Sequence, residues 1–220
     1  MTNQPMKRAT SIRYRVQLLM FAAALTGSVS CGDLNRSGKS PSFLIIDSLS
    51  GSSGATPGTF ASQLNSDVQT LVDQTVNGQQ VKVPTVFNDL GQATIRAVLK
   101  NPGTATAATT PTTINQVTIT RYHVQFRRAD GRNEPGRDVP YAFDGAVTAT
   151  VGASAVAVTF DIVRHTNKQE PPLRNLINSG GSFQINTIAE VTFYGKDQAG
   201  NDVTVTGFIS VNFADFGDPS

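Results

Sequence analysis

FQINTIAEVTFYGKDQAGNDVTVTGFISVNF, residues 183–213, decides the fold class. Phe183, Ile185, Thr187, Ala189, Val191 and Phe193 alternate with Gln184, Asn186, Ile188, Glu190, Thr192 and Tyr194. After KDQAGND, Val203, Val205, Gly207, Ile209, Val211 and Phe213 alternate with polar residues and Phe208. Side chains on a strand point to opposite faces with period two. The stretch therefore predicts a long hairpin with one buried face.

Upstream, residues 143–151 and 156–162 repeat this alternation around a turn at 152–154. Between the two hairpins lie Pro171 and Pro172, then Leu173, Leu176 and Ile177, then Gly180 and Gly181. Proline before a run spaced i, i+3, i+4 and glycine after it predict one short helix. Residues 114–128 read as the longest single strand, but with a fault. Val117 and Ile119 share one face, and Tyr122, Val124 and Phe126 the other. A phase slip at Thr120 and Arg121 predicts a β-bulge.

Ala93, Ile95, Ala97 and Leu99 mark another half-buried strand, and residues 43–46 a short first one. Pro84 within 81–87 predicts an edge strand, since proline cannot donate to a ladder. Residues 48–59 (SLSGSSGATPGT) read as a flexible loop, and 101–113 as a long turn-rich loop. Residues 60–77 fit helix and strand equally. The sum is a mainly β chain, a two-sheet antiparallel β-sandwich with one short helix.

Tyr194, Asp197, Ala199, Gly200 and Asn201, followed by Val203, Val205 and Val211, resemble the terminal hairpin of bacterial immunoglobulin-like and fibronectin-like domains. That resemblance implies an immunoglobulin-like sandwich and says little about function. The buried tryptophan and cysteine pair of such domains are missing, since the chain has no Trp and one Cys. A second resemblance rests on Asn101-Pro102, Tyr122 and a DGR…PG loop. It is to the water-stress sandwich domain of late-embryogenesis-abundant type 14 proteins.

The N-terminus carries Lys7, Arg8, Arg13 and Arg15, then an apolar run from Val16 to Leu25, then Thr26, Gly27, Ser28, Val29, Ser30 and Cys31. A basic head, a short apolar core and a small-residue exit are the parts of a signal peptide. The core falls short of the ~20 residues of a membrane span. The exit resembles the lipobox of bacterial lipoproteins, although Ser28 stands where that family prefers Leu, Val or Ile. The resemblance implies lipidation of Cys31, a membrane partner through that lipid, and outer-membrane sorting in a Gram-negative cell, as Gly32 rather than Asp follows. The expected organisation is signal peptide 1–30, tether 31–42 and sandwich domain 43–220.

Processing at Cys31 changes the charge. The chain has 18 Lys+Arg against 16 Asp+Glu. Four of the bases and none of the acids precede Cys31, so the remainder is slightly acidic. Nothing in that balance argues for a nucleic-acid partner, which needs a basic face, and none is expected.

Sites are sparse. GDLNRSGKS has five residues between Gly32 and Gly38, one too many for a phosphate loop. His123 and His165 have no metal-pair spacing, and no serine sits in a G-x-S-x-G elbow. Calcium could find Asp197, Asn201 and Asp202, residues that equally suit a turn. The candidate contact loop is 130–140, with Arg128, Asp130, Arg132, Glu134, Arg137 and Asp138, because charged loops on a rigid scaffold are where binding surfaces arise. No catalytic residue and no cofactor are called for. The expectation is a lipid-anchored binding or structural module of the cell envelope, with an envelope protein or polysaccharide as partner. The rivals are an envelope hydrolase and a stress-protection sandwich.

Overall fold

A computed structural model describes residues 38–217. The expected signal peptide, Cys31 and the expected tether up to residue 37 lie outside the described residues.

The chain is mainly β. Two larger sheets pack in a sandwich-like arrangement around one core. The first contains β1 (Ser42–Ser52), β5 (Asp89–Leu99) and β10 (Val156–Val163), in the order β1-β5-β10. The second contains β2 (Gln63–Asp67), β8 (Val117–Arg127), β9 (Phe143–Val151), β11 (Ile185–Asp197) and β12 (Asp202–Ala214), in the order β2-β12-β11-β8-β9. All pairings in them are antiparallel except β2 on β12, which is parallel. Two small hairpins complete the strands: β3 (Thr70–Val76) with β4 (Gln79–Thr85), and β6 (Gly103–Thr104) with β7 (Ala107–Ala108).

Residues 185–214 form the β11–β12 hairpin, while Phe183, expected on its buried face, precedes β11 and is exposed. Thr187, Ala189, Val191 and Phe193 are buried while Asn186 and Ile188 are exposed, as period two requires. The bulge is present: the β8–β9 register shifts between Ile119 and Arg121. The slip lets Val117, Ile119, Tyr122, Val124 and Phe126 all face inward.

An aromatic cluster fills the centre. The Tyr122 ring lies 5.0 Å from that of Phe160, which meets Phe193 edge-on at 5.2 Å. Phe143 closes the group against Tyr122. Such pairs contribute about 0.5–1.5 kcal/mol each beyond the area they bury. Two glycines make room for them. A Cβ on Gly91 would lie 2.5 Å from the Phe160 ring, and one on Gly145 2.2 Å from the Tyr122 ring.

Three expectations are corrected. Residues 48–52 are strand, not loop, because β1 continues through a register shift after Ile46 to pair Ser52 with Leu90. Gly51 permits this, since a Cβ there would lie 2.9 Å from that of Leu64. The helix predicted after the prolines is only a 3-10 turn, Leu173–Leu176; a single α-helical turn, α1 (His165–Lys168), precedes the prolines. Leu173 and Leu176 are buried, so the apolar spacing marked a real contact but not a full helix. Residues 60–77 resolve as strands β2 and β3, and the helical spacing of their apolar residues is coincidental.

Candidate contact surface at one pole

The strand directions give the sandwich two ends. Ser42, at the start of β1, pairs with Leu99 at the end of β5. The Ser42 hydroxyl donates to the Asn115 carbonyl at 3.1 Å, and the Lys100 amide to the Pro41 carbonyl at 2.8 Å. The Ser40 side chain bonds Asp197, in the β11–β12 turn. The described chain thus enters at this near pole. At the far pole lie Ser52, Asp67, Asp89, Arg127, Val163 and Ile185, the opposite ends of their strands. An 11-residue strand such as β5 separates the poles by about 35 Å.

The candidate loop 130–140, with Arg128 at its root, leaves the end of β8 at the far pole. Its charges are paired within the loop. The Arg128 and Arg132 guanidiniums both grip the Asp130 carboxylate at 2.7 Å, and Arg137 pairs with Glu134 and Asp138. Those hydrogen bonds, Arg128 first and then Arg132, hold the Asp130 carboxyl well below the usual carboxylate range. Gly131 and Gly136 turn the loop at φ of +81° and +79°, a region that favours glycine. All six expected residues therefore meet in one structure, which is electrically neutral. Arg132 and Arg137 are two-thirds exposed and face solvent.

Four contacts fasten this pole. The Asn167 amide donates to the Tyr141 carbonyl at 2.9 Å, tying the loop to α1. The His165 backbone amide donates to the Asn88 side chain at 2.6 Å. The Arg164 guanidinium lies 4.0 Å over the Phe143 ring. The fourth is a buried ion pair: Lys168 Nζ lies 2.8 Å from Asp89 Oδ1, with side chains 1% and 0% exposed.

That pair is held by further hydrogen bonds. Lys168 Nζ also donates to the Asp67 carbonyl at 2.7 Å, and Asp89 accepts from Ser66 Oγ at 2.6 Å and from the Gly54 amide at 2.8 Å. Asp67 in turn accepts from Thr70 Oγ1 and from the Phe216 amide. Burial pushes the Asp89 carboxyl up, outweighing Lys168, Gly54 and Ser66, which pull it down. The network joins β2, β5, α1 and the chain after β12. Sequence reading missed it entirely. Lys168 sits in the polar run RHTNKQE and carries no mark of burial.

The remaining sequence candidates are scattered. His123, on the outer face of β8, lies 3.3 Å from Asp144 Oδ1, which also takes Arg121 at 2.8 Å. His165 is at the far pole beside Asn88, and on the surface. Asp197 accepts from the Ala199 and Asn201 amides and from Asn201 Nδ2, all within 2.9 Å. Burial raises the Asp197 carboxyl, but the Asn201, Ser40 and Ala199 donors outweigh it and lower its pKa. Asp202 pairs with Lys196. In this arrangement the Asp197 carboxylate braces the turn by accepting from N–H donors. Among the described residues, no group of three or more His, Cys, Asp or Glu could hold a metal.

Compared with protein-family models and with curated proteins, the chain matches none.

Proposed function

We propose that the chain is an exported, lipid-anchored binding module of the cell envelope, standing on a membrane through Cys31 and meeting its partner with the far pole. The observation that carries this is polarity. The described chain enters at one end of the sandwich, and the charged loop emerges at the other. A tether at the near pole holds the loop, α1 and the β3–β4 hairpin away from the anchoring surface.

The strand order supports an immunoglobulin-like assignment. Two strands at the start of the chain divide between the sheets, β1 on β5 and β2 parallel to β12, and the second sheet continues through β11, β8 and β9. In such domains, partners are met by loops at one end of the sandwich. A neutral loop rich in arginine favours hydrogen-bonded recognition of an envelope protein or polysaccharide over attraction to a highly charged polymer. The hydrolase rival would want a histidine joined to an acid and a hydroxyl at a concave site. His123 stands on the outer face of β8 and His165 in α1 at the far pole, each beside a different partner, which favours the binding reading.

Two measurements test this. Cys31→Ser is expected to move the protein from the membrane to the soluble envelope fraction; a variant that still partitions with membranes overturns the anchor. Arg132→Ala with Arg137→Ala is expected to lose partners captured by the wild-type chain from envelope extracts, with an unchanged circular dichroism spectrum. Undiminished capture would remove the loop from the contact.

A further inference from the structure

The outer face of the second sheet has a break in its lattice. On β8, Thr120 and Arg121 are successive exposed residues, where period two would turn one of them inward. The cause is the bulge. The β8 register shifts against β9 between Ile119 and Arg121, and against β11 between Tyr194 and Gly195. Bulges re-aim side chains and recur next to active sites. Two depressions open here, one on each side of Arg121, and Thr120 borders both. The one towards β9 has a volume of about 300 Å³ and is lined by Arg121, Asp144, Gly145 and Ala146. The one towards β12 has a volume of about 350 Å³ and is lined by Arg121, Tyr194, Lys196, Asp202 and Thr204. Ligand pockets run from ~300 Å³ upward.

The groups around them narrow the ligand. Arg121 pairs across the strands with Tyr194, its Cζ 3.8 Å over the ring, and its Nη1 donates to Asp144 Oδ1 at 2.8 Å. Ring and carboxylate hold the guanidinium in place, and one bond to Asp144 leaves further N–H donors for a ligand. Lys196 pairs with Asp202 beside it, so the four charges cancel. A polyanion calls for a net positive surface and a polycation for a net negative one. The centre of a protein interface is depleted of charged residues, whereas these depressions are lined by them. A vicinal diol suits an ion pair. Each hydroxyl both donates and accepts, so a diol bonds guanidinium and carboxylate together and opposes neither. Ala146 and Tyr194 add apolar surface for the C–H face of a sugar ring. Ala146, Arg121, Tyr194 and Thr204 lie in one cross-strand row, so the two depressions suit successive units of a chain.

We propose that this row is a binding cleft for a neutral polysaccharide, which crosses β9, β8, β11 and β12 with one sugar on each side of Arg121. Arg121 is the central donor, Asp144 and Asp202 are the acceptors, and Tyr194 keeps the guanidinium in place. The cleft is separate from the loop 130–140. It requires neither the lipid anchor nor the far-pole contact.

Affinity electrophoresis of the whole chain in mild detergent tests this, in native gels cast with dextran, galactomannan, xylan or the anionic polysaccharide alginate. Retardation is expected in at least one of the neutral gels and not in alginate. Arg121→Ala is expected to weaken it at least tenfold. Arg121→Lys is expected to do nearly as much, since an ammonium keeps the charge but not the planar fork. Lys82→Ala, on the exposed β3–β4 hairpin, should leave it unchanged. The Arg121 side chain is half exposed, so both variants should keep the wild-type circular dichroism spectrum. If Arg121→Ala does not, Arg121→Lys decides. The proposal is overturned by no retardation in any neutral gel, by stronger retardation in alginate, or by retardation that the Arg121 variants retain in full. Failure here leaves partner capture by Arg132 and Arg137 untouched, so the two readings fail separately.

Discussion

Lys168 is the side chain whose loss should be felt most. A buried ion pair is weak evidence for stability, because desolvation of both groups offsets their attraction. Removing one partner is different, since it strands the other charge. Lys168→Met is expected to cost about 3–5 kcal/mol in urea unfolding, with Asp89→Leu added to it recovering a part. A cost under about 1 kcal/mol would mean that the pair is not formed. Asp144 makes the pH case at this scale. The hydrogen bond from Arg121 lowers its pKa, with His123 adding to the effect. A carboxyl with a depressed folded value contributes stability above its unfolded value of ~3.9 and loses it as pH falls through the folded one. Arg121→Ala should raise the Asp144 titration midpoint, read from its carboxyl carbon by NMR.

At the scale of elements, the aromatic centre depends on the strands that make room for it. Gly145→Ala sets a methyl against a Tyr122 ring held by Phe143, Phe160 and Phe193, and overpacking of this kind costs about 1–3 kcal/mol. For a chain of this size that lowers the melting temperature by roughly 2–4 °C per kcal/mol. The β3–β4 hairpin behaves oppositely. Replacing its exposed residues 73–82 with a short turn should leave the sandwich folded and its melting temperature within a few degrees. A collapse in stability would show that the hairpin belongs to the core.

The elements also show what sequence can carry. Period-two patterns in β8, β10, β11 and β12 were readable because one face of each is buried and the other is wet. Even the β8 bulge was legible, as a phase error. The end of β1 was not: residues 48–52 are serine, leucine and glycine, a loop-like composition that a neighbouring strand overrides. The six charged residues of the candidate contact loop stood out because charge clusters are visible locally. The Lys168 network did not, because its members come from residues 54, 66, 67, 89 and 168. Only the fold brings them together.

At the scale of the molecule, the parallel pairing of β2 on β12 has a consequence in time. Asn212 donates to Asn65 across 147 residues of chain, and Phe216 to Asp67 across 149. Such distant closures are slow, since the whole intervening loop must be gathered first. They also set an order of events. However much of the first sheet has assembled, β2 has no ladder partner until β12 has been made and released. A chain passed through a membrane N-terminus first, as proposed here, would thus stay open to threading until its last strand arrives, and would lock only on the far side.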